Sequence, residues 1–494
     1  MVKHICVLGG GSSGWISALA LIRNTKNIQI TLVESPDIKT VGVGEATIPY
    51  VTESFERLLG LKESDWMSEC DAVYKTSIRF SDFYKKDTIV HHPFNDGFNS
   101  DAVFDWLVKN SVNKQNSDDF YESTHLSYHL SELGNFTKDT SYAHNLNADK
   151  FALVCKKKCI ELGLNYVQDT VVSVEQNESG EISSLVCKDN KIRADFFIDA
   201  SGFSALLIEK TLGDKFVSIT DKLINDSAIV VQTPYSNKEK ELTNYVNCTG
   251  MDFGWSWKIP LWNRLGNGYV YSSKFADRET VENEFRRFLG NDDLEFRLLK
   301  MRSGYQENPW TKNCLAVVLS AGFIEPLEST GLALTIYGIE QLIESLNNSG
   351  NNPSRFDAQQ YNYNFKHSFN ECLDFVQLHF LLTDREDTPY WKHLRQMEAT
   401  DSLVETMHKF AITEIDEKRY FGTPGGFKFG LTSWYSMMVG FDRINGLPTV
   451  HGYTEEQIDF FNKRSDETRK KLRLKAESAE SHYNFLKNEI HNET

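Results

Sequence analysis

Several things are scarce in this sequence, and each scarcity narrows what the chain can be. No apolar run approaches the roughly 20 residues that a membrane-spanning helix needs. Basic residues are outnumbered, with 53 Lys and Arg against 69 Asp and Glu, for a formal charge of −16. Without a basic stripe to meet phosphates, affinity for DNA or RNA is not expected. Cysteines are few and irregular: Cys6, Cys70, Cys155, Cys159, Cys187, Cys248, Cys314 and Cys372 follow no framework spacing. C-K-K-K-C at 155–159 has helical i, i+4 spacing, but no second pair completes a zinc site, so no metal is expected. A strand pattern begins within a few residues of Met1 and leaves no room for a signal peptide. The expectation is a soluble, reduced, cytoplasmic protein. Neither an internal repeat nor a low-complexity segment is present.

What is there reads as a nucleotide-binding α/β protein. The opening, HICVLGGGSSGWISALALIRN, is a buried strand, a glycine turn and a helix, and IQITLVES follows as a second strand. Gly9, Gly11 and Gly14 form G-x-G-x-x-G between strand and helix. That pattern lets the backbone and the helix N-terminus approach a pyrophosphate, with Ser12 and Ser13 in the same turn. Glu34 closes the second strand about 20 residues on, where a carboxylate can bind a ribose hydroxyl. FFIDASG at 196–202 is an apolar strand ending in Asp199 and Gly202, as in two-part FAD folds, so FAD is preferred to NAD. The fold class expected is α/β, a glutathione-reductase-like (hydroxylase-type) FAD domain over 1–345, with a mainly helical C-terminal domain over 346–494. Hydroxylases of that type usually hold the ribityl chain with a Gly-Asp pair. The comparable place here reads AVVLSAGF, with Val318 and Leu319.

Along the rest of the chain, residues 84–125 read as polar, aromatic loop. DKFALVCKKKCIELG from Asp149 reads as an amphipathic helix, and NESGE as a hairpin turn. In FGWSWKIPL (253–261), Trp255 and Trp257 share one face of a strand because side chains alternate with a period of two. Pro260 cannot donate to a ladder, so it ends that strand or confines it to an edge. Taken alone this is an aromatic core strand.

VGVGEATIP (41–49), GWSWKIP (254–260) and GFIEPLESTG (322–331) together resemble the flavin-dependent halogenases of the tryptophan-halogenase family, from residue 1 to about 340 and more weakly beyond. The resemblance implies that reduced flavin and oxygen oxidise a halide to hypohalous acid, which travels to a lysine beside an aromatic substrate. The lysine matched is Lys75 in CDAVYKTSIRF, and the second catalytic residue matched is Glu328 in PLESTG. Thr330 and Gly331 match the backbone amides that hold the halide. Gly44, Glu45, Ala46, Val171, Gly322 and Phe323 fall with the cofactor-binding positions. Trp255 and Trp257 match a wall between flavin and substrate, which leaves a small halide as the only nucleophile that fits.

His92 and Phe94 in VHHPFNDG match an H-x-F segment lining the substrate. Trp434 in TSWYSMMVGF is either a second stacking surface or core packing on a helix. Glu328 reads as a base for the arenium intermediate and equally as a carboxylate favoured at a helix N-terminus. Lys75 beside it is pulled up by the carboxylate and down by desolvation, and both a haloamine and a hydrogen-bonded hypohalous acid stay open. YFGTPGGFKFGL carries no acid between Tyr420 and Leu431, where tryptophan-specific members grip the amino acid. A zwitterion there would pay a large desolvation cost, so a neutral indole or phenol is expected. No second dinucleotide fingerprint occurs, so FADH2 is expected from a separate flavin reductase. The resemblance also allows a homo-oligomer. An aromatic hydroxylase is the alternative enzyme, and a flavin-binding protein without chemistry the alternative of another class.

Overall fold

The strand His4–Leu8 is buried at all but its first residue because it is the middle of a six-stranded sheet. Its neighbours are Gln29–Glu34 on one side and Phe196–Asp199 on the other, both parallel to it. Asn165–Gln168 and Cys314–Ala316 extend the two flanks in parallel, and Trp310–Thr311 adds an antiparallel edge. Parallel strands covered on both faces need apolar side chains throughout, which explains HICVL. The structure is a computed structural model that describes residues 1–38, 45–94, 100–412, 429–444 and 452–492.

A second sheet of seven strands carries the opposite side of the site. Its order is Arg297–Lys300, Ser227–Thr233, Leu265–Tyr271, Gly254–Pro260, Tyr245–Gly250, Ser77–Ser81 and Ile89–Pro93. The tryptophan strand Gly254–Pro260 is therefore interior, paired on both sides, and Pro260 is its last residue, opposite Leu265 at the hairpin end. A three-stranded ladder of Glu45–Ala46, Ala143–Leu146 and Val73–Lys75 completes the frame.

The helix Ala148–Glu161 and the hairpin between Val171–Gln176 and Ile182–Cys187 lie where the periodicity places them. Residues 84–125 do not form a loop: the edge strand Ile89–Pro93 and the helices Ser100–Val112 and Ser117–Thr124 occupy most of the segment. Their polar outer faces meet the charged helix Glu455–Glu477, with Arg464 on both carboxylate oxygens of Asp105 (2.6 and 2.7 Å) and Arg469 on Asp119 (2.9 Å). The 345/346 boundary falls inside the helix Gly331–Asn348, and one hydrophobic core runs from Val2 to Leu486. Among the described residues no helix is long and apolar enough to cross a membrane. All eight cysteines are buried free thiols.

Candidate active site

At the first glycine turn the backbone leaves no room for side chains on its inner side. Gly9 has φ +125°, and a Cβ there would lie 2.2 Å from the Ala200 carbonyl oxygen; one on Gly14 would lie 1.9 Å from the Gly9 oxygen. Gly11, the N-cap of the helix Ser12–Asn24, has nothing within 4 Å of its Cβ position. That helix has no acidic residue in its first turn and no side-chain cap, so its leading amides remain for an anion. Glu34 Oε2 accepts from Tyr166 Oη (2.8 Å) and Lys156 Nζ (3.1 Å), while Oε1 lies beneath Gly10, beside the turn. The residues fit a dinucleotide: a closed inner side, an open Gly11 side, and one carboxylate oxygen beside the turn.

The other positions expected to bind the cofactor come from several separate strands and turns. Asp199 is fully buried, and its carboxylate accepts from Ser201 (backbone and Oγ), Ser320 Oγ and the amides of Leu207 and Ile208. It organises the chain after the strand instead of offering an oxygen outward. Ala46 sits in the strand Glu45–Ala46, and Val171 opens Val171–Gln176. Gly322 and Phe323 pair with Tyr305 and Gly304. Gly44 lies outside the described residues, as does the side chain of Glu45. Val318, where hydroxylases carry the Gly-Asp pair, has φ +48°.

Lys75 ends the strand Val73–Lys75 and is fully buried. Its Nζ donates to the Thr47 carbonyl (3.0 Å) and to Ser329 Oγ (3.1 Å), and lies 5.3 Å from the centre of the Phe94 ring. Desolvation outweighs the pull of Glu328 and the Cys248 thiol, and the amine falls from 10.5 to about 8.

Glu328 ends a single 3-10 turn, Pro326–Glu328, and is also fully buried. Burial pushes its carboxyl up, but the hydrogen bond from His92 and the close approach of the His379 ring more than offset this and hold it at about 2. His92 Nδ1 donates to Oε2 at 2.8 Å. His379 Nε2 lies 2.8 Å from Oε1, within ion-pair range though out of line for a hydrogen bond. His379 Nδ1 must carry a hydrogen, since it meets the Phe375 carbonyl at 2.7 Å. The contact of Nε2 with a carboxylate is then attractive only if that nitrogen is protonated too. Thr330 and Gly331 follow at the head of the 18-residue helix Gly331–Asn348, whose first turn holds no acid, and Gly331 has an open Cβ side. This is a setting for an anion.

A cavity of about 1080 Å³ adjoins this pair, with His92, Phe94 and Phe429 in its wall, together with Pro49, Tyr142 and Ser433. His91 and His92 face opposite ways in their strand. His91 packs on Tyr121 and Tyr128, while His92 meets Glu328, Phe375 (5.3 Å) and Phe429 (6.1 Å). Trp434 does not line the cavity. It is buried in the helix Leu431–Gly440, edge-on to Phe375 at 5.1 Å with its Nε1 toward Glu371 (3.3 Å). That helix is apolar nearly all round and buries its tryptophan, and the aromatic ring this region puts on the cavity is instead Phe429, stacked on Phe375 at 3.9 Å. Tyr420 and the rest of 420–428 lie outside the described residues.

The two tryptophans of Gly254–Pro260 lie 5.9 Å apart on one face, both buried. Trp255 Nε1 donates to Glu325 Oε2 at 2.7 Å. Asn225 Nδ2 donates to the same oxygen (2.8 Å), and Tyr390 Oη donates to Asn225 Oδ1 (3.1 Å). Glu325 Oε1 has no hydrogen-bond partner among the described residues, and burial raises this carboxyl to about 7. Glu325 therefore ties the tryptophan wall to the turn that carries Glu328. Sequence reading missed Glu325 and Ser329, although both stand inside GFIEPLESTG, and missed His379, which no local motif marks.

The family profile described as tryptophan halogenase matches residues 4–451. The tryptophan 6-halogenase SttH of Streptomyces toxytricini is 32% identical over 460 residues, 84% of this chain and 85% of its own. The tryptophan 7-halogenase RebH of Lentzea aerocolonigenes is 30% identical over 83% of this chain and 82% of its own. Among solved structures, the flavin-dependent halogenase Xcc4156 from Xanthomonas campestris has a TM-score of 0.89 at 30% identity, covering 99% of this chain and 98% of that one.

Proposed function

The chain belongs to the tryptophan halogenase family and is a flavin-dependent halogenase using FADH2, oxygen and halide, and from that premise we propose that it halogenates a neutral, electron-rich indole or phenol through Lys75 and Glu328. The observation that carries this reading is the stacking order of the site. A cavity walled by His92 and Phe94 lies directly in front of a buried lysine and a buried carboxylate.

Reduced flavin with oxygen supplies the oxidising power that turns halide into hypohalous acid. Gly9, Gly11 and Gly14 with the helix at Ser12, and Glu34, would hold the dinucleotide. The amides of Thr330 and Gly331 would hold the halide, and Trp255 and Trp257 would keep the arene out. Lys75, an ammonium below pH ~8, donates to the hypohalous oxygen and gives it a proton as the O–halogen bond breaks. Glu328, ionised and fixed by two imidazoles, lowers the energy of the positive charge that develops on the ring. Among the described residues the charged side chains on the cavity, such as Glu56, Lys62 and Lys138, stand at 53–63 and 138, and the sequence between Tyr420 and Leu431 holds no acid. A neutral arene needs no such partner. Eight free thiols suit a reducing cytoplasm, where a separate reductase supplies the reduced flavin.

The test is turnover with FAD, a flavin reductase, NADH and oxygen, with chloride, bromide or iodide, against an arene panel including indole and tryptophan. A halide-dependent mass gain that Lys75→Ala abolishes, with flavin binding intact, is expected. Gain of one oxygen without halogen would refute the reading.

A further inference from the structure

Glu328 does not reach the cavity; His92 does. The carboxylate is fully buried, and both of its oxygens are occupied, Oε2 by His92 Nδ1 and Oε1 by the His379 contact. His92 stands between it and the space where an arene fits, in the cavity wall beside Phe94 and Phe429. With Nδ1 turned to Glu328, the other nitrogen, Nε2, is on the far side of the ring and has no partner among the described residues. Of the two neutral tautomers, a carboxylate acceptor on Nδ1 selects the one with the hydrogen there, which has its lone pair on Nε2. This is the arrangement of an acid that orients a base, with the base facing the substrate.

We infer that His92 Nε2 is the catalytic base that removes the ring proton, with Glu328 and His379 as the positioning residues behind it. The inference rests on the halogenase reading of the site. As the arene attacks hypohalous acid, the carbon–halogen bond forms and the oxygen–halogen bond breaks. The departing hydroxide takes a proton from the Lys75 ammonium and leaves as water. The ring hydrogen then passes as a proton to His92 Nε2, and the C–H electron pair restores the aromatic ring. His92 becomes an imidazolium paired with Glu328, then loses its proton to cavity water and returns to neutrality. The lysine is reprotonated from solvent, so arene and hypohalous acid give halogenated arene and water.

Two substitutions separate a base from a wall. His92→Asn keeps a donor where Nδ1 stood, and so keeps the bond to Glu328, but has nothing at the Nε2 position. His92→Phe keeps an aromatic surface and loses both nitrogens. Each is assayed as holoenzyme with reductase for arene halogenation, for hypohalous acid captured by a soluble 1,3-diketone, and for the rate with arene deuterated at the reacting carbon. A general base contributes about 10²–10⁴-fold. Both variants are therefore expected to lose about 10²-fold or more of arene halogenation while hypohalous acid is still released. A primary isotope effect absent from the wild type should appear in His92→Asn. Halogenation by His92→Phe within a few-fold of wild type, or by His92→Asn with no isotope effect, would overturn the assignment. If the wild type itself releases no oxidised halogen, the halogenase reading fails first, and the capture assay reports that separately.

Discussion

Replacing Lys75 with methionine should abolish halogenation and, near pH 7, make the protein more stable. The fully buried amine ionises at about 8 where a free one ionises at 10.5, a gap worth about 3.4 kcal/mol. Near pH 7 the folded state carries almost all of that as the cost of keeping an ammonium out of water. Methionine of similar length removes the cost and loses the bonds to the Thr47 carbonyl and Ser329 Oγ, at about 1 kcal/mol each. The net expectation is a gain of about 1 kcal/mol. The sign of the pH dependence follows from proton counting. Between about 8 and 10.5 the unfolded lysine holds a proton that the folded one has shed, so wild-type stability rises with pH across that window. By pH ~9.5 the cost has fallen to about 1.4 kcal/mol, and the variant's advantage becomes a deficit of about 1 kcal/mol. Glu328 stays paired with His92 and His379 in the variant, so no second buried charge is stranded. Urea titrations of both proteins near pH 7 and pH ~9.5 measure the difference. A variant less stable than wild type near pH 7, or a difference that does not move with pH, would refute this account of the buried lysine.

Glu325→Gln tests the carboxyl behind the tryptophan wall. Its folded value, about 7, stands above the ordinary 4.5, so the wild type loses stability as pH rises from about 4.5 to 7, and an amide should show its larger advantage at the higher pH. The stability difference should grow by about 1 kcal/mol between pH ~6 and ~8, and a flat difference would count against a buried neutral acid. Gly14→Ala and Gly11→Ala should part company. The first collides with the Gly9 carbonyl and lowers the melting temperature, while the second meets nothing within 4 Å and should leave melting unchanged but weaken flavin retention, read by fluorescence. Glu328→Gln should reduce halogenation by about 10²-fold with flavin binding intact, since it removes charge and keeps shape; unchanged turnover would exclude the carboxylate from the chemistry.

What could be read in advance was what local chemistry dictates. The glycine turn was legible because the φ of Gly9 and the crowding at Gly14 are properties of a few consecutive residues. Lys75, Glu328, His92 and Phe94 could be named because each stands in an unusual segment, and the structure sets Lys75 against Phe94 and Glu328 against His92, with His92 and Phe94 on the cavity. His379 was not legible: it lies in the last turn of the helix Arg355–Leu381, and only packing of that helix on the Pro326–Glu328 turn gives it a role. Residues 84–125 read as loop because their helices hold polar side chains on faces that a distant charged helix covers, as at Asp105 and Arg464. Trp434 shows the limit of residue type as a guide. An aromatic ring suited to stacking on a substrate is equally suited to a core, and burial in Leu431–Gly440 decides for the core.

Two buried opposite charges usually neutralise each other, and here they do not. Among the described residues no ion pair joins Lys75 to Glu328; each is satisfied from its own side. The lysine meets a carbonyl and a hydroxyl, and the carboxylate meets two imidazoles. Ser329 makes this separation possible. Its backbone lies in the left-handed region at φ +59°, a conformation few residues with side chains adopt, and this turns the chain sharply between Glu328 and Thr330. Its Oγ then occupies a position on the ammonium that a carboxylate oxygen would otherwise take. A direct ion pair would raise the lysine well above 8 and commit its hydrogens to Glu328, leaving little to polarise an incoming oxidant. On the proposed mechanism, holding them apart keeps a donor on the ammonium for hypohalous oxygen and keeps the charge of the carboxylate for the ring. The desolvation cost of both groups is the consequence, and it falls where a site that creates charge on an aromatic ring has use for it.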